Sequence, residues 1–180
     1  MSTTTNTNNL MDKASHAKIL FLDVDGVLTS GEIFYSEHGE TIKRFNTLDG
    51  QGLRYLIEAG VSPVIITGRT SLALFKRLTD LGIEQIHMGV HDKKQVAQKV
   101  LDELGFDWTQ SVAVGDDWPD LPILLKSAIS VAPQNAHLEI KTRVDFLTHN
   151  KGGEGCVREV CDLILKASGK YQTILEQYTK

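Results

Sequence analysis

Two aspartates one residue apart, Asp23 and Asp25, carry the clearest chemistry in this 180-residue chain. They follow the apolar run Ile19-Leu20-Phe21-Leu22 and precede Gly26. A short continuous apolar run reads as a strand buried on both faces. Carboxylates at its end are costly in a core unless something pairs with them. Gly26 lets the chain turn sharply there, so the two carboxylates reach the mouth of a sheet, where a cation can hold them. A strand ending in a solvated Asx turn is the plainer alternative for this stretch alone.

Two further runs end in the same kind of residue. Thr67 and Gly68 follow Pro63-Val64-Ile65-Ile66, and Asp116, Asp117 and Asp120 follow Ser111-Val112-Ala113-Val114. Carboxylates and a hydroxyl at three strand ends fit a Mg²⁺ site, since Mg²⁺ takes hard oxygen ligands, usually one or two carboxylates plus substrate phosphate. Asp23 can then act as a nucleophile that forms an aspartyl-phosphate. Asp25 can serve as general acid and then base, and like charges in one small site favour its protonated form. Thr67 and the backbone at Gly68 can donate to phosphate oxygens, and Lys93 can supply positive charge. By position alone Lys93 reads as a solvated helix residue.

The elements that must position these groups alternate. Ile33–Tyr35 and Thr41–Phe45 flank a polar, glycine-containing loop and read as a β-hairpin spanning Glu32–Phe45. Asp49-Gly50-Gln51-Gly52 breaks the chain before a helix from Leu53 to Ala59. A strand over 63–66, a helix over 72–81, a short strand over 86–88 and a helix over 93–104 N-capped by Asp92 follow. A strand over 111–114, a helix to about Ser127, a strand over 129–132 and an amphipathic helix over 157–166 complete the pattern. Strand–helix alternation predicts an α/β fold, a three-layer Rossmann-like parallel sheet with helices on both faces. Open parallel sheets place ligands at the carboxyl ends of their strands, where the acidic groups lie. Residues 1–17 are expected to be a disordered N-terminal segment and 18–180 a single domain.

Net charge of −4 argues against broad nucleic-acid or membrane-surface binding. Any anionic substrate must therefore meet a local cationic site, for which Arg69 and Arg158 are candidates beside Lys93. No run approaches a membrane span. Cys156 and Cys161 stand about 140° apart around a helix, so both read as reduced packing residues of a cytoplasmic protein. The six histidines are scattered without ligand spacing.

Asp23-Val24-Asp25-Gly26-Val27-Leu28-Thr29, Thr67, Lys93 and Gly115-Asp116-Asp117-x-x-Asp120 resemble the four ordered motifs of the haloacid dehalogenase-like hydrolases. Phe45-Asn46-x-x-Asp49-Gly50-x-Gly52, Ile66-Thr67-Gly68-Arg69 and Gly152-Gly153-x-Gly155-x-x-Arg158-Glu159 are similar to motifs of the 3-deoxy-D-manno-octulosonate 8-phosphate (KDO 8-phosphate) phosphatase family. The resemblance covers about Ile19 to Gly169. It implies Asp23 as nucleophile and Asp25 as acid/base. Mg²⁺ would be held by Asp23, the Asp25 backbone carbonyl and Asp116, and the phosphoryl group by Thr67 and Lys93. The implied activity is Mg²⁺-dependent hydrolysis of a small sugar-acid phosphate in lipopolysaccharide precursor biosynthesis. A phosphatase of the nine-carbon acid 2-keto-3-deoxynononate 9-phosphate, or a non-enzymatic partner of a sugar nucleotidyltransferase, is the alternative. Thr47-Leu48 stands where the family often has an arginine before the Asp-Gly pair.

Only 41 residues separate Asp25 from Thr67, and 48 separate Thr67 from Asp116. Neither interval holds a separate cap domain, which usually needs at least ~50 residues. Water exclusion calls for a lid, and an isolated hairpin is only marginally stable. The expected answer is pairing of hairpins between copies; with the resemblance, this becomes a homotetramer with active sites at subunit interfaces.

Overall fold

In a computed structural model, residues 2–180 are described, with side chains from residue 8 onward. Six parallel strands form one sheet: β1 (Ile19–Leu22), β4 (Ser62–Ile66), β5 (Gln85–His87), β6 (Ser111–Val114), β7 (Ile129–Ala132) and β8 (Phe146–Leu147), in the order β5-β4-β1-β6-β7-β8. The hairpin β2 (Phe34–Ser36) and β3 (Gly39–Ile42) is a separate two-stranded antiparallel sheet inserted after β1. The α/β class, the parallel sheet and the hairpin insertion are as expected from the sequence.

Side-chain alternation along the strands sorts the helices into two layers. Leu20 and Leu22 of β1 face α1 (Ser2–Ser15), α2 (Thr47–Glu58), α3 (Leu72–Asp80), α7 (Cys156–Ala167) and α8 (Tyr171–Glu176). Ile19 and Phe21 face α4 (Lys93–Leu104), α5 (Leu121–Leu124) and α6 (Leu138–Lys141). All four residues of β1 are buried, as a two-faced central strand requires.

Two local expectations change. The N-terminal segment expected to be disordered contains α1, whose Leu10 and Ala14 pack onto the core against α7, and Ala17 beyond it is buried. Leu10 and Ala14 stand four apart, so even a polar helix carries an apolar stripe there. Met1 and the side chains of residues 2–7 lie outside the described residues. Asp49-Gly50-Gln51-Gly52 lies inside α2 rather than before it, because Asn46 caps the helix by accepting the Leu48 N–H at 2.8 Å. Gly52 is small for packing: a Cβ there would meet the Arg158 and Cys161 side chains at 3.0–3.1 Å. Finally, α6 and β8 occupy a stretch whose four- and two-residue elements are too short to leave a periodic signal.

Candidate active site

The register of the sheet brings the predicted groups to one edge. Leu22 lies opposite Ile65 on β4 and Val114 on β6. The residues just beyond therefore emerge side by side: Asp23 to Asp25, Thr67, and Asp116 to Asp120. Asp23 extends the ladder by one bond, its N–H donating to the Val114 carbonyl at 3.2 Å. The chain then coils around the Val24 carbonyl, which accepts from Val27, Leu28 and Thr29. Val24 and Val27 are fully buried and anchor this turn. Gly26 has φ +94°, and a Cβ there would sit 2.1 Å from Asp116 Oδ2, so no other residue fits between the two acidic loops.

Lys93, the first residue of α4, is buried and reaches both loops. Its Nζ donates to Asp23 Oδ1 at 2.7 Å and to Asp120 Oδ1 at 2.6 Å. Asp120 turns its other oxygen to the backbone N–H of Asp116 at 3.0 Å and of Asp117 at 3.3 Å. The solvated-helix reading of Lys93 is thereby excluded. Asp120 aims the lysine and shapes the Asp116 loop.

Asp23, Asp116 and Asp120 each place a carboxylate oxygen within 4.8 Å of the others. Burial, then the neighbouring Asp120, pushes the Asp23 carboxyl up to about 6 against the pull of Lys93. Burial, then Asp120, Asp23 and Asp117, pushes Asp116 up to about 8. Burial depresses the Lys93 ammonium, but Asp23 and Asp120 outweigh it and raise it overall. Crowded carboxylates with raised affinity for protons are short of positive charge, and hard oxygen donors of this kind fit a small divalent cation such as Mg²⁺.

Asp25 sits in a second network, where its carboxylate faces cations and not the like charges expected from the sequence. Lys43, from the hairpin's return strand side, places Nζ 2.5 Å from Asp25 Oδ1, and Arg69 Nε lies 3.5 Å from Oδ2. Glu40 on β3 joins them, 2.6 Å from Lys43 Nζ and 2.6 Å from an Arg69 Nη. Lys43 and Glu40 were not singled out from the sequence. Their spacing of three on a strand edge carries no motif, and their partners lie across the fold.

Thr67 is buried in the loop after β4, its N–H donating to His87 and its carbonyl accepting from Val90. Its hydroxyl accepts the Arg69 N–H at 3.4 Å, with Gly68 between them. Arg158 is not brought to the cluster. Its Nε bonds Asp162 at 2.7 Å, its guanidinium lies 5.3 Å from the Tyr55 ring centre, and it lines a cleft of about 220 Å³ between α2, α7 and α8. What the Gly152–Arg158 motif does contribute is backbone. The Gly155 and Arg158 N–H groups donate to buried Asp49 at 3.2 and 2.8 Å, and Gly153 N–H donates to Val27 O at 2.9 Å. Asp49 and the glycine loop thus brace the turn that follows Asp23.

Residues 86–160 match the model of the family described as haloacid dehalogenase-like hydrolase. A 3-deoxy-D-manno-octulosonate 8-phosphate phosphatase of Salmonella typhi is 40% identical over 162 residues, 90% of this chain and 86% of that protein. The crystal structure of the Yersinia pestis enzyme of that name is 38% identical, covers 92% of this chain and 89% of its own, and superposes with a TM-score of 0.90. The Moraxella catarrhalis enzyme, solved in complex with magnesium ion, phosphate ion and KDO, is 35% identical with a TM-score of 0.92, covering 95% of this chain and 98% of its own. Among haloacid dehalogenase-like hydrolases, this chain belongs to the 3-deoxy-D-manno-octulosonate 8-phosphate phosphatase family.

Proposed function

We propose that this protein hydrolyses KDO 8-phosphate to the free sugar acid and phosphate, with Mg²⁺ bound, in lipopolysaccharide precursor biosynthesis. The observation that carries this reading is the Lys93 ammonium held between Asp23 and Asp120 beside Asp116. Such a group would supply a nucleophile, a phosphate-binding cation and a cation-binding carboxylate together. Asp23, the Asp25 backbone carbonyl and Asp116 would hold the Mg²⁺, which would offset phosphate charge there.

Asp23 attacks phosphorus, the bond to the sugar oxygen breaks, and that oxygen takes a proton from Asp25. Water then attacks the aspartyl-phosphate, passes its proton to Asp25, and releases phosphate with Asp23 restored. Thr67 and the Gly68 backbone donate to the phosphoryl oxygens, Lys93 balances their charge, and Arg69 is the cation offered to the substrate's carboxylate. The Arg158 guanidinium turns to Asp162 and Tyr55, and its backbone N–H holds Asp49.

Residues 18–180 act as one domain without a cap. Ile33, Phe34, Tyr35 and Ile42 of the hairpin are all exposed, which favours a homotetramer whose subunits close one another's sites. The free, buried Cys156 and Cys161 accord with a cytoplasmic location. Among the described residues no helix is long and apolar enough to cross a membrane.

The test compares kcat/KM for KDO 8-phosphate, the nine-carbon acid phosphate and common sugar phosphates, with and without Mg²⁺. Preference for KDO 8-phosphate and loss of turnover on chelation are expected. Preference for the nine-carbon acid overturns the substrate, and absence of any phosphate release overturns the enzyme.

A further inference from the structure

We infer that Asn135 is a positioning residue for the Asp25–Gly26 turn. Asn135 lies in the loop between β7 and α6, outside every motif that marks the site. Its Oδ1 accepts the Gly152 N–H at 2.7 Å, and its Nδ2 donates to the Gly26 carbonyl at 3.4 Å. One amide side chain therefore joins the catalytic turn to the glycine-rich loop.

The contact it spans admits nothing else. A Cβ on Gly152 would lie 1.8 Å from the Gly26 carbonyl oxygen, while a Cβ on Gly26 would lie 2.1 Å from Asp116 Oδ2. The Gly26 peptide is thus held between the Asp116 carboxylate on one side and Gly152 on the other. Its left-handed φ of +94° is open to glycine and to little else. A glycine so placed supplies no side chain to fix its own conformation, so the hydrogen bonds to its peptide must do it. Gly26 N–H donates to Thr29 Oγ1 at 3.4 Å, and the only side chain on its carbonyl among the described residues is Asn135. That carbonyl lies in the Gly26–Val27 peptide; releasing it frees Gly26 ψ, and the adjoining Asp25–Gly26 peptide, which carries the Asp25 carbonyl, loses the fixed partner that sets its orientation.

This inference rests on the proposed Mg²⁺ site, where the Asp25 carbonyl is a ligand, and its test separates the two. Asn135→Ala removes both bonds. Asn135→Asp keeps the acceptor for Gly152 and loses the donor to Gly26. Amide exchange in the metal-free proteins is read first. Asn135→Ala should exchange faster at Gly152 and across Gly26–Thr29, and Asn135→Asp should restore protection at Gly152 alone. Thermal shift on Mg²⁺ titration and steady-state kinetics are read second. The Ala variant should need about 5-fold more Mg²⁺ and lose about 5-fold in kcat, the equivalent of about one hydrogen bond, with KM nearly constant. Unchanged exchange at both loops, or unchanged Mg²⁺ midpoint and kcat, overturns the positioning role. A wild-type protein that shows no Mg²⁺ shift overturns the proposed function instead, and the exchange data still decide whether Asn135 holds the turn.

Discussion

Two lysine–carboxylate pairs flank the Asp23–Asp25 turn, and they are built from different material. Lys93 begins a twelve-residue helix on the face of the sheet and meets Asp23 from 70 residues away, with its side chain 7% exposed. Lys43 meets Asp25 from beside a hairpin with strands of three and four residues whose apolar side chains lie open. The Lys43 side chain is just as enclosed, at 5% exposed, so the pairs differ in what carries the lysine, and the first is carried by a helix packed on the sheet. The second moves with whatever moves the hairpin, since two strands alone are marginally stable. The carboxylate assigned to attack sits on rigid scaffolding, and the one assigned to shuttle protons faces the adjustable part.

Substitutions can break that comparison, beginning with the largest effect. Asp23→Asn should leave a folded protein with turnover lowered by at least about 10⁴-fold, because a carboxamide cannot form the acyl phosphate. Circular dichroism with phosphate release measures both, and normal turnover in the folded variant removes Asp23 from the chemistry. Lys93→Ala should lose about 10²–10³-fold in rate and also about 3 kcal/mol of stability, because it strands buried carboxylates; denaturant melts and kinetics should move together. Thr67→Ala should show a similar rate loss of about 10²–10³-fold with less change in stability. Lys43→Met sharpens the contrast: about a 10-fold rate loss, of the size general acid–base effects reach when only orientation suffers, with a smaller loss of stability than Lys93→Ala, because Arg69 still faces the two carboxylates it leaves. If Lys43→Met destabilises as strongly as Lys93→Ala, the two regions do not differ as described.

The smallest effect is on pH dependence. Asp23 and Asp116 have folded values near 6 and 8, above the 3.8 of an ordinary aspartate. Between about pH 4 and 8 the metal-free folded protein therefore binds more protons than the unfolded chain, so its stability falls as pH rises through that window. Mg²⁺ replaces those protons, and its stabilisation should grow over the same range. Calorimetry at pH 5 and pH 8 checks this, and Asp116→Asn should flatten both trends.

The parts legible in the sequence are those in which one residue type suffices. Continuous apolar runs located β1, β6 and β7, and Asp23, Asp25, Thr67 and Asp116 stood at the ends of such runs. The Lys43–Glu40–Arg69 network was not legible, because ion pairing across the fold depends on where a hairpin leans. The helical start of α2 was hidden by Gly50 and Gly52, which read as breakers by propensity but serve as close contacts. Arg158 shared a motif with the glycines packed against the Gly26–Thr29 turn, yet its guanidinium turns to Tyr55 and Asp162. Helical periodicity sends neighbours in sequence to different faces.

The middle strand has a consequence for how the chain comes off a ribosome. β1 is synthesised before both of its neighbours, β4 and β6, which begin at Ser62 and Ser111. At roughly 5–20 residues per second, Leu22 precedes Val114 by roughly 5–20 s. Throughout that interval one edge of Ile-Leu-Phe-Leu is bare, and such an edge is a template for pairing with other chains. Nascent chains arrested before Ser111 should therefore bind chaperones that recognise extended apolar segments, and chains arrested beyond Ala132 should release them.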